Sequence, residues 1–181
     1  HPECLHKLYQ ALAEDPSAVL AYCGWQNIGL PGGAGKPFIP PDYETDDKLA
    51  LLFSSCRWPI HACLTRKSTV IETGLFDESL LTAEDFLLWL KLTYNKKIKR
   101  VSEVLAFYHF HNGEQASDDK ARAALNHWLA QKKFLQKNPD VISILGKEKI
   151  RTYTHGVLMQ RGFECYWKRD LISARSIFKK V

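Results

Sequence analysis

A chain of 181 residues with 45% hydrophobic and 25% charged residues is long enough to bury a core and too apolar to be disordered throughout. Its 25 lysines and arginines exceed its 20 acidic residues by only five, for a formal net charge of +5, and they form no basic stripe. This balance argues against a nucleic-acid-binding protein. No apolar run reaches the ~20 residues of a membrane-spanning helix, no signal peptide opens the sequence, and the five cysteines follow no metal-binding spacing. We therefore predict a cytoplasmic protein with reduced thiols.

The first part of the sequence contains a helix pattern and a strand pattern. Apolar residues at helical spacing predict an amphipathic helix from Leu5 to Ala13. A run of β-forming residues predicts a buried strand from Ala18 to Ile28. Glycine and proline fill residues 29–42, which predicts a surface hairpin or lid loop. Gly35-Lys36 in this loop lacks the second glycine and the hydroxyl residue of a phosphate-binding loop.

Three shorter elements follow this loop. The sequence predicts a helix from Asp46 to Phe53, a strand from Ile60 to Thr65, and a short helix from Arg66 to Glu72 that Gly74 ends. His61 lies in the predicted strand and is either a packing residue or a ligand of some substrate.

The stretch from Gly74 to His111 contains the strongest candidates for chemistry. Residues 86–92 are apolar on nearly every face, which predicts a helix buried all round. Thr82 and the acidic pair Glu84-Asp85 precede this helix in a pattern close to a capping box. The two acids are therefore either a capped helix start, where they favour the helix dipole, or a catalytic pair.

Two strands are predicted after this helix, from Ile98 to Val101 and from Val104 to Phe110. The basic run Lys96–Arg100 would also suit an anionic lipid surface or an acidic ligand. In the second strand the residues alternate in direction, so that His109 and His111 share one face. Two imidazoles can contribute to a metal site, but they need further ligands to complete it.

From Ser117 the sequence is predicted to be helical. A long helix extends to Asn138, and its predicted apolar face comprises Ala121, Leu125, Trp128, Leu129 and Leu135. Further helices are predicted from Lys149 to Lys168 and from Leu171 onward. Gly162, Ala174 and Phe178 have the spacing of a tetratricopeptide helix pair. One functional hypothesis is therefore a non-catalytic protein-interaction module that uses this helical hairpin.

The segment from Cys56 to His111 resembles the acceptor-side half of the inverting, GT-A-type glycosyltransferases of family 2. The shared pieces stand in the order of that family: Arg66-Lys67 after a strand, Gly74-Leu75-Phe76-Asp77-Glu78, Ala83-Glu84-Asp85, Leu88-Trp89-Leu90, Val104-Leu105-Ala106 and Tyr108 to His111. With the weaker fit of Pro2 to Trp25, the resemblance covers about residues 1–115. It implies an α/β (α+β) fold, with a partial GT-A-like mixed sheet and flanking helices in 1–115, followed by an all-helical extension in 116–181.

The resemblance also implies catalytic roles for the acidic pair. Asp85 takes the role of the general base that deprotonates the acceptor hydroxyl, and Glu84 supports it or contacts the acceptor. An inverting transfer is a one-step displacement, so a base is needed on the face of the sugar opposite the leaving nucleotide. A helix N-terminus would tend to hold Asp85 ionised.

By the same resemblance, other residues contact the substrates and the metal. Substrate contacts are expected from His61, Trp89 and His109, and a contact to the metal or the diphosphate from His111. The implied partners are a nucleotide-sugar donor and a carbohydrate or other hydroxyl acceptor, as in polysaccharide biosynthesis. The resemblance also allows peripheral attachment of the protein to the cytoplasmic face of a membrane.

The family holds its nucleotide-sugar with an N-terminal βαβ half and an Asp-x-Asp motif that binds Mn²⁺ or Mg²⁺. This sequence contains no Asp-x-Asp. The resemblance therefore implies a fragment that begins downstream of the donor site, is inactive alone and binds no metal, whereas the full-length enzyme needs one. Because such a fragment would expose a sheet edge, we also expect it to self-associate.

Overall fold

β1 (Ala18–Ile28) is the central strand of a three-stranded mixed sheet in the computed structural model, which describes residues 1–29, 33–110 and 118–181. β2 (Cys63–Thr65) pairs with β1 antiparallel, and β3 (Lys97–His109) pairs with it parallel. Residues 18–23 are buried. Strands covered on both faces are apolar at successive positions instead of alternating ones, which accounts for the sequence of β1. The predicted strand is confirmed, and the fold is mixed α/β.

The chain forms two compact units. The first comprises the described part of His1–Leu75 and of Trp89–Gly113, and the second comprises Phe76–Leu88 and the described part of Glu114–Val181. α4 (Glu84–Thr93) contains the boundary between the units, which falls after Leu88. The second unit thus includes a segment that precedes the predicted helical extension.

α1 (Cys4–Glu14) covers the sheet of the first unit. Leu8, Ala11 and Leu12 are buried on one side of this helix and belong to the same apolar cluster as residues of β1 and β3. The predicted amphipathic helix is confirmed. α2 (Lys48–Ser54) and α3 (Lys67–Glu72) also lie where helices were predicted.

Arg66 connects the end of α1 to the sheet. Its guanidinium donates hydrogen bonds to the carbonyl oxygen of Leu12 at 2.6 Å and to that of Ala18 at 2.7 Å. The last carbonyls of a helix lack partners within the helix, and an arginine fork can satisfy them. The arginine that ends the predicted strand is therefore a structural residue.

β2 is shorter than predicted. Ile60–Ala62 forms a 3₁₀ turn in place of the first half of the predicted strand. The N–H of Ala62 donates to the carbonyl oxygen of Pro59 at 2.9 Å, and only Cys63–Thr65 pairs with β1. The prediction that His61 lies in a strand is therefore wrong, because a local turn bond takes the place of ladder bonds there.

β3 is one strand where two were predicted. Val101 lies opposite Cys23 and Val104 lies opposite Gly24, so the two residues between them, Ser102 and Glu103, form an irregularity within a continuous strand. A Cβ atom at Gly24 would lie 2.6 Å from the carbonyl oxygen of Phe38. Only glycine lets the chain approach this closely on that side of β1.

The loop after β1 folds back along the strand. Trp25 and Phe38 exchange two backbone hydrogen bonds of 2.9 Å, and their rings lie 4.8 Å apart. The side-chain amide of Gln26 donates to the carbonyl oxygen of Gly35 at 2.8 Å. This part of the predicted hairpin is confirmed, whereas its residues 30–32 lie outside the described residues.

The second unit is helical from residue 120 onward. It contains α5 (Lys120–Lys137), α6 (Asp140–Leu145), α7 (Lys147–Arg151), a π-helical turn (Thr152–Gly156), α8 (Val157–Trp167) and α9 (Leu171–Phe178). The long helix, the helix ending near 168 and the last helix are confirmed. α6 was not predicted. None of the helices in the described parts of the chain combines the length and apolar character needed to cross a membrane.

The core of the second unit lies between α5, α8 and α9. Four buried residues form its centre, and Ala121, Leu125 and Trp128 of α5 pack against them; the four are Leu158, Cys165, Ala174 and Ile177. The most deeply buried positions of α5 include Ala130 and Phe134, which the predicted apolar face omitted. The helix therefore buries a wider face than its predicted stripe.

Gly162 and Phe178 bring α8 and α9 together. A Cβ atom at Gly162 would lie 2.4 Å from Cε1 of Phe178. We expect Gly162→Ala to lower the free energy of unfolding by about 1 kcal/mol, because overpacking (~1–3 kcal/mol) outweighs the gain in helix propensity (~1 kcal/mol). Urea unfolding followed by circular dichroism measures the change.

Gly156→Ala is the matched control. A Cβ atom there would meet its nearest neighbour, the carbonyl oxygen of Arg151, at an ordinary 3.7 Å. This substitution should therefore raise the free energy of unfolding by about 0.5–1 kcal/mol. If both variants gain stability equally, the contact between Gly162 and Phe178 does not limit helix packing.

Candidate active site

Glu84 and Asp85 begin α4, in the second unit. The residue before the helix is Ala83, whose carbonyl oxygen accepts the first helical hydrogen bond, from the N–H of Leu87 at 3.1 Å. Ala83 has φ 61°, in the left-handed region that residues other than glycine seldom occupy. Thr82 is therefore not the capping residue that the sequence pattern predicts. Its Oγ1 accepts a hydrogen bond from the side-chain amide of Asn126 at 3.1 Å.

Asp85 is a half-buried carboxylate at this helix start. Its Oδ1 accepts a hydrogen bond from the N–H of Phe86 at 2.7 Å, which satisfies one of the donors that a helix N-terminus leaves without a partner. Burial raises the pKa of Asp85, the bond from Phe86 opposes this, and the charge of Glu84 raises the pKa further. Desolvation is therefore the largest effect on the pKa of this carboxyl, whereas the sequence led us to expect that the helix N-terminus would favour its ionised form.

α5 supplies two neighbours of the helix start that the sequence did not indicate. Asn126 binds Thr82, and the imidazole of His127 stacks on the ring of Phe86 with centroids 4.2 Å apart and planes at 12°. Burial, with a smaller contribution from the charge of Arg161, lowers the pKa of His127 to about 4. His127 is therefore a neutral, apolar-packed ring at pH 7. No local pattern marks it, because its contacts lie about forty residues away in the sequence.

Asp77, in the segment before α4, is held by two neighbours. The Lys133 ammonium donates to its Oδ2 at 2.6 Å, and the Ser79 hydroxyl donates to its Oδ1 at 2.6 Å. These bonds lower the pKa of Asp77 to about 2. Asp77 is thus a structural anion that ties its segment to α5, and it is unsuited to accept a proton near pH 7.

His61 belongs to the first unit. Its ring lies 5.6 Å from that of Tyr108, and its Nε2 is buried without a hydrogen-bond partner among the described residues. Burial lowers its pKa, so that the imidazole is neutral at pH 7. The ring contact fits a packing role, and the buried nitrogen has no partner among the described residues.

Trp89 also belongs to the first unit, where it is only 6% exposed. Its ring centroid lies 6.4 Å from that of Trp58, which stacks on Tyr22 at 4.7 Å. The indole N–H groups of both tryptophans are buried and have no acceptor among the described residues. Buried donors without partners are rare in proteins, and a water or ligand commonly satisfies them. Trp89 is therefore a core residue that exposes no ring face to a substrate, and the substrate contact expected of it stays a prediction.

His109 is exposed at the end of β3, opposite Ile28. Its neighbours Tyr108 and Phe110 contact each other edge to face at 5.0 Å, which confirms that the aromatic residues share the other side of the strand. His111 lies outside the described residues. Among the residues that the structure describes, no group of three or more His, Cys, Asp or Glu side chains is arranged to hold a metal ion. The metal contact of His111 stays a prediction.

The predicted site residues thus fall into two groups. Glu84 and Asp85 lie together in the second unit, whereas His61, Trp89 and His109 lie in the first. The sequence matches no known protein-family model, and no curated protein is similar to it. Any functional assignment therefore depends on the chemistry of the residues themselves and on the resemblance of motif order.

The stacked position of His127 predicts a pH dependence of stability. Its pKa is about 4 in the folded protein and about 6.5 when unfolded, so between these values the unfolded chain binds a proton that the folded protein excludes. The free energy of unfolding should therefore fall by about 2–3 kcal/mol as pH drops from 7 to 4. His127→Phe keeps the stacking on Phe86 and should remove most of that slope in urea unfolding.

His6→Gln, at an exposed position on α1, is the control and should leave the slope unchanged. An NMR titration that found His127 protonated near pH 6.5 would contradict its burial against Phe86.

Proposed function

We propose that this chain is the acceptor-side portion of an inverting glycosyltransferase, with Asp85 as the general base. The observation that carries the proposal is a half-buried carboxylate, with its pKa raised by burial, at the start of a helix where the motif order leads one to expect a base. Asp77, the other aspartate of these motifs, has a lowered pKa and two bound donors, so it is the poorer candidate.

The proposed reaction is a single displacement. The acceptor hydroxyl oxygen forms a bond to the anomeric carbon while the bond from that carbon to the nucleoside diphosphate breaks. The hydroxyl proton moves to the carboxylate of Asp85, and the diphosphate leaves with the electron pair. A base is most effective when its pKa lies near the working pH, so burial moves Asp85 in the useful direction.

Glu84 has a defined part in this proposal. Its negative charge raises the pKa of Asp85, because a nearby like charge disfavours ionisation. It is therefore a positioning residue that adjusts the strength of the base. Glu84→Gln should shift the acidic limb of the pH–rate profile to lower pH, and a general loss of folding would not produce that shift.

The resemblance assigns substrate contacts to His61 and Trp89, which belong to the first unit. Each has a buried ring nitrogen without a partner among the described residues, and these contacts stay predictions. The resemblance places a divalent metal, Mn²⁺ or Mg²⁺, with the donor nucleotide. Its chemistry would be to neutralise the departing diphosphate, and His111 is the residue of this chain that the resemblance assigns to it.

Asp85→Asn tests the proposal in the enzyme that contains this portion. We expect sugar transfer to fall by roughly 10²–10⁴-fold, because the amide cannot accept the proton. Release of nucleoside diphosphate from a panel of UDP-, GDP- and dTDP-sugars, with acceptor present, measures the rate. Transfer within a few-fold of the unsubstituted enzyme would show that Asp85 is not the base.

The stability of the same variant supplies the control. Since the folded protein raises the pKa of Asp85, the ionised carboxylate opposes folding at pH 7, and asparagine removes that charge. Asparagine can still accept the hydrogen bond from Phe86. Asp85→Asn should therefore be at least as stable as the unsubstituted protein while losing activity. Lost activity together with lost stability would point to a structural role instead.

A further inference from the structure

The turn between α8 and α9 leaves large apolar side chains in water. Trp167 is 74% exposed, Leu171 53% and Ile172 84%, and Tyr166 stands beside Trp167 with ring centroids 5.1 Å apart. Contiguous exposed apolar groups of this kind mark interaction sites in soluble domains. We call residues 166–172 the α8–α9 tip.

Hydrogen bonds at both helix ends define the tip. The N–H of Asp170 donates to the carbonyl oxygen of Cys165 at 2.9 Å, and that of Arg169 donates to Tyr166 at 3.0 Å, which is the Schellman arrangement. The carboxylate of Asp170 then accepts from the N–H of Ser173 and caps α9. The exposed apolar residues therefore sit on an ordered turn and not on a frayed helix end.

Arg169 occupies a position that favours glycine. Its φ is 64°, and this place in a Schellman turn is most often filled by glycine, because a side chain there is strained. Arginine occupies this position next to Lys168, and both side chains are exposed. The tip thus presents two adjacent cations among apolar side chains.

The C-terminal hairpin carries a large part of the net positive charge of the protein, and Lys168 and Arg169 lie at the tip itself. Residues 161–181 contain six basic and two acidic residues, a net +4 of the total +5: Arg161, Lys168, Arg169, Arg175, Lys179 and Lys180 against Glu164 and Asp170. In this hairpin Arg161 pairs with Glu164 at 3.0 Å. In the basic run of the first unit two cations are paired, Lys96 with Glu72 at 3.5 Å and Lys97 with Asp15 at 3.7 Å. The C-terminal hairpin is therefore the better complement to an anionic surface.

We infer that the α8–α9 tip binds the surface of an anionic lipid bilayer. Tryptophan and branched aliphatic side chains enter the boundary between headgroups and acyl chains, while lysine and arginine beside them bind lipid phosphates. Each cation near such a surface strengthens binding roughly five-fold. This inference is independent of the proposed sugar transfer.

Vesicle co-sedimentation of the full chain tests the inference. We expect binding to an equimolar mixture of phosphatidylglycerol and phosphatidylcholine, and roughly ten-fold weaker binding to phosphatidylcholine alone. The double substitution Trp167→Ala/Ile172→Ser should weaken binding to the mixture by roughly ten-fold or more. Ile144→Ser, at a 60% exposed position on α6, is the matched control and should leave binding unchanged.

Arg169→Gly separates binding from folding. Glycine accepts the positive φ, so the variant should unfold at a higher temperature, yet bind the anionic vesicles roughly five-fold more weakly.

Three results would overturn the inference: equal binding to neutral vesicles, binding that the tip substitutions leave unchanged, or no binding to either vesicle. A fourth contradicting result would come from light scattering in the absence of lipid. Self-association that Trp167→Ala/Ile172→Ser abolishes would show that a second copy covers the tip.

Discussion

Burial of residues 18–23 on both faces of β1 is the constraint on which the first unit depends. β2 and β3 pair with this strand from opposite sides, and α1 packs across it through Leu8 and Leu12. The same burial explains Arg66, since the carbonyl groups where α1 ends and β1 begins are removed from water and must find donors. One apolar run thus accounts for the sheet order, the position of α1 and the contacts of the half-buried Arg66.

The sequence predicted those elements that burial alone decides. β1 and α1 could be predicted because an apolar run or a 3.6-residue period is visible without knowledge of the partner. The turn at Ile60–Ala62 could not, because its residues favour a strand and a single bond to Pro59 decides otherwise. The joining of two predicted strands into β3 could not be predicted either, because the irregularity at Ser102 and Glu103 leaves the pairing with β1 continuous on both sides.

The candidate site shows the same division between local and distant causes. Glu84 and Asp85 could be predicted to begin a helix, since acidic residues before an apolar run are a local pattern. The raised pKa of Asp85 could not be predicted, because the helix N-terminus acts locally whereas desolvation depends on what covers the side chain. His127 and Asn126 were missed for that reason too. Their partners are close in space and far apart in sequence.

Ala83 and Arg169 both adopt left-handed backbone conformations, but the structural consequence differs between the two positions. Each conformation costs about 1 kcal/mol relative to glycine, and Leu75 and Asn95 share it, so strain alone does not identify a functional residue. At Ala83 the side chain is a methyl group, and what the conformation provides is the direction in which α4 leaves with Glu84 and Asp85. At Arg169 glycine would form the turn with less strain but would remove a cation. The strain comes from the Cβ atom that any residue other than glycine brings, and the proposed lipid contact gives the guanidinium beyond it a role.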